Sequence, residues 1–251
     1  MGTWICHLRI AEQLLAEIPG LDESAFSMGN VAPDFGIANE DGTAYDPPKE
    51  VTHFTEGDSE GTTIRDLIFY RTYLAPVRPD EDIKRYSFLL GYFFHLLTDG
   101  LWKVRIWRPS KRYFEDIVNL RGEFAAGLDF KVDWYDLDQC YVRDNPNCLF
   151  WRVFLKAPLP RPYLPYMTDD MISHQVEVIR KFYSQPEPSV LDRPYPYLNE
   201  TAMSLFINDA AASILSLHNR LRYELPPPDL DSALRLLGVS DLEAFPPPLG
   251  D

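Results

Sequence analysis

One stretch of the sequence, residues 86–102, constrains the fold more than any other. It is apolar nearly all round at helical periodicity, which predicts a buried helix at the centre of the molecule. His95 and Asp99 lie four residues apart on one face of this helix, so their side chains emerge about 6 Å from each other. Burial of an unpaired carboxylate costs several kcal/mol, and Asp99 therefore requires a partner.

The pair of His95 and Asp99 admits two interpretations. The spacing is one at which a single helix offers two ligands to one metal ion. The alternative is a buried, hydrogen-bonded His–Asp pair supported by Thr98. Gly91 lies one turn earlier on the same side of the helix, where the missing side chain predicts the close approach of another segment.

Helical periodicity dominates the remainder of the chain and predicts an all-α fold. We expect the central helix to begin after Pro79-Asp80 and end near Trp102. Two stretches lack this periodicity: a long irregular segment at 21–61, and an acidic, aromatic stretch with a proline-rich connector at 126–165. The other predicted helices are 3–18, 62–75, 110–125, 168–184, 199–223 and a short one near 229–237. This pattern predicts one helical metal-binding domain at 1–223 and a C-terminal, proline-flanked appendage at 224–251.

The charge disfavours several classes of partner, and the composition predicts a location. The chain has 24 lysines and arginines against 38 aspartates and glutamates, a net charge of −14. Such a charge disfavours duplex nucleic acid and anionic membrane surfaces as partners. The three cysteines, the absence of a visible signal peptide and the absence of a run of about 20 apolar residues predict a cytoplasmic protein without a transmembrane segment. The sequence predicts no particular oligomeric state.

Three further residues are candidates for metal ligands. Asp34 lies in a tight loop after Pro33, His53 follows a proline-braced turn, and His7 occupies the centre of the apolar stripe of the first helix. Each has an ordinary alternative, since aspartate is common in turns and a buried histidine is often just hydrogen-bonded to a carbonyl oxygen.

Four ordered motifs resemble the zinc-dependent phospholipase C family, whose helical fold is shared with single-strand-specific zinc nucleases. The resemblance covers about residues 1–102. It implies that Asp34, His53, His95 and Asp99 bind a first zinc ion, and that His7 belongs to a second zinc that Asp99 bridges. Imidazole and carboxylate ligands also suit manganese, iron or nickel. The motifs are His7-x-x-Ile10-Ala11, Met28-Gly29-Asn30-Val31-Ala32-Pro33-Asp34, Thr52-His53-Phe54 and Gly91-Tyr92-x-x-His95-Leu96-Leu97-x-Asp99.

The sequence also departs from that family. The family's secreted members bind a metal through a processed N-terminal tryptophan, whereas Trp4 is internal here. The family's later histidine ligands have no clear counterpart, because the next histidine after His95 is His174. His174 and Glu177 lie three residues apart on an amphipathic helix, which favours a solvated face. We therefore expect an incomplete zinc cluster.

These observations predict a metal-dependent phosphoester hydrolase that uses metal-activated water on a small-molecule substrate. Asp34 is the candidate general base or water-orienting ligand. Arg105 and Arg108 are either phosphate contacts or ordinary exposed arginines. The alternative function is a non-catalytic protein that retains a structural zinc. An HD-type phosphohydrolase is disfavoured because none of the five histidines is followed by aspartate.

Two other groups of titratable residues have structural interpretations. His218 lies near a predicted helix C-terminus, where its cationic form would interact favourably with the helix dipole. The acidic residues between 129 and 138 are typical of a solvated face, with calcium binding as the alternative. They are Asp129, Asp133, Asp136 and Asp138.

Overall fold

The computed structural model describes residues 2–40, 44–56, 63–185 and 190–237. Within this part of the chain, ten α-helices and two short antiparallel hairpins form, so the all-α prediction is confirmed. In the hairpins, β1 (Ile37–Ala38) pairs with β2 (Tyr45–Asp46), and β3 (Thr55–Glu56) with β4 (Thr63–Ile64). The helices are α1 (Trp4–Glu17), α2 (Glu23–Gly29), α3 (Lys49–Thr52), α4 (Asp66–Phe69), α5 (Ile83–Trp102), α6 (Arg108–Tyr113), α7 (Glu115–Arg121), α8 (Glu123–Asp144), α9 (Asp169–Ser184) and α10 (Glu200–Tyr223).

The predicted central helix is α5. Asp82 caps its N-terminus by accepting a hydrogen bond from the Arg85 amide, and every residue from Ser87 to Trp102 is buried. The helix continues through a π-helical turn, Lys103–Trp107, directly into α6. His95 and Asp99 are therefore buried inside the molecule, as the apolar run predicted.

The irregular segment predicted at 21–61 contains two helices that the prediction missed, α2 and the four-residue α3. Helix α2 has only seven residues, too few for two full periods of the apolar pattern, yet it is capped by Asp22 and buried along its second half. A 3-10 turn at Ala32–Phe35 follows it. Packing against α5 stabilises this short helix, because isolated helices of that length are marginal in water.

Glycines at two facing positions allow α2 and α5 to touch through their backbones. A Cβ atom on Gly91 would lie 2.4 Å from the Phe26 carbonyl oxygen, and one on Gly29 would lie 2.0 Å from the Phe88 carbonyl oxygen. Real side chains do not approach that closely, so only glycine fits. The close approach expected at Gly91 is confirmed.

Helix α8 is a further element that the sequence analysis missed. Its 22 residues, Glu123–Asp144, cover the first half of the acidic, aromatic stretch at 126–165, where no helix was predicted. Two of its aspartates are buried rather than solvated: Asp133 pairs with Arg193 at 2.7 Å, and Asp138 accepts a hydrogen bond from Tyr183 Oη at 2.6 Å. Burial raises the pKa of Asp138 to about 7. The prediction of a solvated acidic face is therefore wrong for these two residues, because polar partners from distant segments cover them.

Two predicted helices are interrupted. The one expected at 62–75 begins at Asp66 and ends in a π-helical turn, Tyr70–Leu74, while residue 62 lies outside the described residues. The one expected at 110–125 divides into α6, α7 and the start of α8. The helical conformation is interrupted at Phe114 and again at Gly122. Gly122 has a φ of 80°, which glycine adopts readily.

The described part of the predicted C-terminal appendage packs against α4. Asp66 accepts hydrogen bonds from Ser232 Oγ at 2.6 Å and from the Ala233 amide at 2.7 Å, and burial raises the pKa of Asp66 to about 7. The division at residue 224 stays a prediction, and residues 238–251 of the appendage lie outside the described residues. None of the described helices combines the length and the apolar character needed to cross a membrane.

We expect Gly91→Ala to destabilise the protein by about 3 kcal/mol or more, because the added methyl group forces α2 away from α5. Thermal or chemical unfolding followed by circular dichroism measures this change. Gly127→Ala is the matched control, since its Cβ would meet only the tip of the Trp107 ring at 3.1 Å. Equal stability of the two variants would contradict the backbone contact.

Candidate metal centre

Four separate segments bring the five candidate ligands together. His7 comes from α1, Asp34 from the 3-10 turn, His53 from the C-terminal end of α3, and His95 and Asp99 from α5. The histidines and Asp99 are completely or almost completely buried. Asp34 differs, since 13% of its side chain is exposed.

Local structure holds the two loop-borne ligands in place. Pro33 and the buried Phe35 flank Asp34 in the 3-10 turn. Directly after His53, Phe54 adopts a φ of 53°, a left-handed conformation that costs a non-glycine residue roughly 1–2 kcal/mol. The ring of Phe54 is anchored edge-on against Phe69 at 5.4 Å, which stabilises this turn. Such strain at a buried ligand loop is typical of functional sites.

Asp99 lies at the centre of the cluster, with one oxygen on each side. Its Oδ1 accepts a hydrogen bond from the Gly2 amide at 2.8 Å and lies 3.4 Å from His7 Nε2. Its Oδ2 lies 3.4 Å from His95 Nε2 and 3.6 Å from His53 Nε2. Asp34 Oδ1 completes this second side, 3.4 Å from His53 Nε2. The carboxylate of Asp99 therefore has the geometry of a bridge between two adjacent sites.

Several of these buried atoms have no hydrogen-bond partner. They include Nε2 of His7, His53 and His95, as well as Asp99 Oδ2. Four ligands held about 2.1 Å from a tetrahedral zinc ion lie about 3.4 Å from one another. Three separations between adjacent ligand atoms, 3.4 Å for His95–Asp99, 3.6 Å for His53–Asp99 and 3.4 Å for His53–Asp34, are close to that edge length and long for hydrogen bonds. The donor set and its spacing therefore fit a transition-metal ion.

The alternative of a simple hydrogen-bonded His95–Asp99 pair has little support in the geometry. Their closest atoms are 3.4 Å apart, and the Thr98 hydroxyl has no hydrogen-bond partner. Thr98 therefore does not support such a pair.

The Nδ1 atoms of His95 and His53 each contact an oxygen atom of the protein. His95 Nδ1 lies 2.8 Å from the Asn30 carbonyl oxygen, which only accepts, so Nδ1 must carry the proton. In the neutral ring, Nε2 then keeps its lone pair and faces the cluster. His53 Nδ1 lies 2.9 Å from Thr52 Oγ1. Contacts of this kind orient metal-binding histidines and fix their tautomer.

Burial and mutual charge set the protonation of the cluster. Burial, and after it the neighbouring ring of His95 stacked on it at 3.8 Å, lower the pKa of His7 to about 4. Burial raises the pKa of Asp99, but His95 and His7 more than offset this effect, so the pKa of Asp99 lies well below its usual range. A neutral His7 and an ionised Asp99 are the protonation states that bind metal.

Two overlapping groups of ligand atoms are close enough for metal binding. His7, His95 and Asp99 form one, and Asp34, His53 and His95 form the other, with the ligand atoms of each group within 4.8 Å of one another. His95 is common to both groups.

A cavity of about 520 Å³ reaches the cluster at Asp99. Its walls are mostly apolar and include Trp107 and Trp134, while Lys103 and Lys131 supply positive charge. Lys49, from another direction, places Nζ 3.9 Å from Asp34 Oδ1. The sequence analysis identified none of these three lysines, because nothing in their local spacing relates them to the ligands.

The structure corrects two interpretations of residues outside the cluster and agrees with a third. Arg105 is buried and pairs with Asp209 at 2.6 Å, so it is neither an exposed arginine nor available to a phosphate. His218 is buried against Phe94, and burial lowers its pKa to about 4, which contradicts a cationic role at the helix end. Arg108 is exposed, and His174 and Glu177 lie on an exposed face of α9, as expected for a solvated surface.

Comparison with known protein families supports the resemblance drawn from the motifs. Residues 6–102 match the family described as zinc dependent phospholipase C, and all five candidate ligands lie within that range. The resemblance is therefore confirmed over this part of the chain. No curated protein and no solved structure matches the chain significantly.

We expect His95→Ala to lose most of its bound zinc, because His95 belongs to both ligand groups. Elemental analysis of purified protein measures the zinc content, and zinc addition should raise the melting temperature of the wild type but not of the variant. His174→Ala, which removes an exposed histidine, should keep the wild-type zinc content. Zinc binding that is equal in all three proteins would contradict the assigned site.

Proposed function

We propose that this protein is a zinc-dependent phosphoester hydrolase whose metal is bound by Asp34, His53, His95 and Asp99. The convergence of buried, unpartnered Nε2 atoms on Asp99 Oδ2 at 3.4 and 3.6 Å carries the proposal. The family match over residues 6–102 supports both zinc and hydrolysis. Another divalent transition metal would suit the same ligands.

The proposal includes a second ion on the other side of Asp99. His7 Nε2 lies 3.4 Å from Asp99 Oδ1, and neither nitrogen of the His7 ring has a hydrogen-bond partner. A buried neutral histidine with two unpartnered nitrogens is costly unless a cation binds it. Asp34, His53, His95 and Asp99 would hold one ion, and His7 would extend the site to a second.

Bound zinc supplies a Lewis acid that polarises a phosphoryl oxygen and makes water more acidic. Asp34 is the ligand with access to solvent, and His53 lies beside the Oδ1 atom of Asp34. The Oδ2 atom of Asp34 is then the one that orients the attacking water and accepts a proton from it. Burial raises the pKa of Asp34, but His53 and Lys49 lower it to below its usual range, which keeps the carboxylate ionised at neutral pH.

The cavity beside the cluster is the proposed substrate site. Lys103 and Lys131 offset the negative charge of the phosphoryl group, and the rings of Trp107 and Trp134 keep water away from the reacting atoms. The substrate is a small phosphoester rather than duplex nucleic acid, which the net charge of −14 would repel. A cytoplasmic location stays a prediction.

The alternative function is a non-catalytic protein with a structural zinc that ties the 21–61 segment to the central helix. The nearly complete burial of the histidines favours it. The cavity at Asp99 and the partial exposure of Asp34 favour an open, catalytic site instead. X-ray absorption spectroscopy separates the two, since a structural site has four protein ligands and no water.

We expect Asp34→Asn to lower kcat at least about 100-fold on a soluble chromogenic phosphodiester, because the amide cannot accept the proton of the attacking water. The zinc content of the variant is measured in the same preparation. Asp170→Asn, a change of an exposed aspartate at the start of α9, should leave kcat unchanged. Full activity of Asp34→Asn, or wild-type activity that survives zinc removal, would refute the mechanism.

A further inference from the structure

A carboxylate from another helix holds the beginning of α1. Asp138, on α8, is almost completely buried. It accepts hydrogen bonds from Thr3 Oγ1 at 2.8 Å and from the Ile5 amide at 3.3 Å. A third hydrogen bond comes from Tyr183 Oη at 2.6 Å. Such partners are needed because a buried carboxylate without them is very costly, and two of the three belong to the first turn of α1.

The hydrogen bond from Thr3 differs from an ordinary helix cap. Thr3 is the N-cap residue of α1, a position at which a hydroxyl usually accepts a hydrogen bond from an amide of the first turn. The Thr3 hydroxyl makes no such bond and donates to Asp138, while Asp138 accepts from the Ile5 amide of that turn. A cap formed within α1 would require no buried carboxylate. The contact with Asp138 fixes residue 3 relative to α8, which a local cap cannot do.

Residue 3 is linked in turn to both groups on the Oδ1 side of Asp99. The Thr3 carbonyl oxygen accepts a hydrogen bond from the His7 amide at 3.1 Å. The neighbouring Gly2 donates its amide to Asp99 Oδ1 at 2.8 Å. Gly2 also lies beside the imidazole, since a Cβ atom on it would be 3.2 Å from His7 Nε2. The segment that Asp138 holds therefore borders the His7 side of the metal centre.

The ring of Trp4 attaches the same segment to α8 and α9. It packs edge-on against Tyr135 at 6.1 Å, Phe182 at 6.0 Å and Tyr183 at 6.2 Å. Aromatic pairs accept a range of separations, whereas a hydrogen bond is restricted in both length and angle. The aromatic contacts therefore attach the segment, and the hydrogen bonds to Asp138 determine its position.

From these contacts we propose that Asp138 is a positioning residue for the second metal ion, the one assigned to His7 and Asp99. Asp138 does not bind the ion. Through Thr3 it holds the backbone of Gly2 and His7 where both groups meet Asp99 Oδ1. The ligands of the first ion come from α3, α5 and the 3-10 turn, so the beginning of α1 does not position them. This role rests on the proposed function, which includes the second ion, but not on hydrolysis.

Two substitutions test the role of Asp138. Asp138→Asn replaces an acceptor oxygen with an amide group, and Thr3→Val removes the hydroxyl at nearly constant volume. We expect each variant to bind the second zinc ion at least about tenfold more weakly than the wild type, with the affinity for the first ion unchanged, because loss of a residue that orients a ligand costs about 10- to 100-fold in metal affinity. Competition of the zinc-loaded protein with a chelator measures both affinities, and elemental analysis counts the ions per chain.

Matched controls distinguish this role from a general loss of stability. Asp133→Asn changes another buried aspartate of α8, one that pairs with Arg193 and accepts a hydrogen bond from the Tyr197 amide. Thr3→Ser keeps the hydroxyl. Both controls should bind two zinc ions with the wild-type affinities. Circular dichroism verifies that all four variants fold, and Thr3→Val still tests the proposal if Asp138→Asn does not fold.

Selective weakening of the second ion in Asp138→Asn and Thr3→Val supports the proposal. Unchanged affinities in these two variants, equal weakening of both ions, or a wild type that binds a single ion would overturn it. Loss of the second ion from Asp133→Asn would overturn it as well, because reduced stability would then explain the effect.

Failure of the proposed function is a separate outcome. A wild type that binds two zinc ions but hydrolyses no phosphoester refutes the hydrolase, and its zinc affinities still test the role of Asp138. Hydrolysis by a protein whose second ion is insensitive to Asp138→Asn and Thr3→Val overturns the positioning role alone.

Discussion

The burial of Asp99 is the constraint on which the rest of the site depends. Helix α5 is buried from Ser87 to Trp102, so this carboxylate has almost no contact with water. A charge in such a place is tolerated only when other groups or a cation compensate it. The Gly2 amide and three imidazoles surround it, each from a different direction. The convergence of α1, α3 and the 3-10 turn on one point of α5 follows from that requirement.

The direct backbone contact of α2 with α5 connects the packing of the core to the chemistry of the site. Gly29 and Gly91 allow that contact, and α2 ends just before Asn30, whose carbonyl oxygen accepts the hydrogen bond from His95 Nδ1. The turn that carries Asp34 follows immediately. A small displacement of α2 would thus change both the tautomer of His95 and the position of Asp34. The packing at these two glycines therefore positions both the contact of His95 with Asn30 and the turn that carries Asp34.

Helix α8 gives the metal centre its surroundings. One of its faces closes the core with Phe130 and Trp134, and its outer face exposes Phe124 and Leu128. Gly127 lets this helix lie against Trp107, beside the cavity that reaches Asp99. The candidate metal ligands, the cavity and the outer face of α8 therefore lie next to one another in the fold.

The sequence by itself determined the all-α class, the burial of α5, the close approach at Gly91 and the family resemblance over residues 6–102. These features depend on local periodicity and short motifs, which a single chain displays directly. Only the tertiary structure decided that α8 is a helix with buried aspartates, that Arg105 pairs with Asp209, and that Lys103 and Lys131 line a cavity beside the candidate metal centre. Those features depend on contacts between residues far apart in the chain, and spacing along the sequence does not encode such distances.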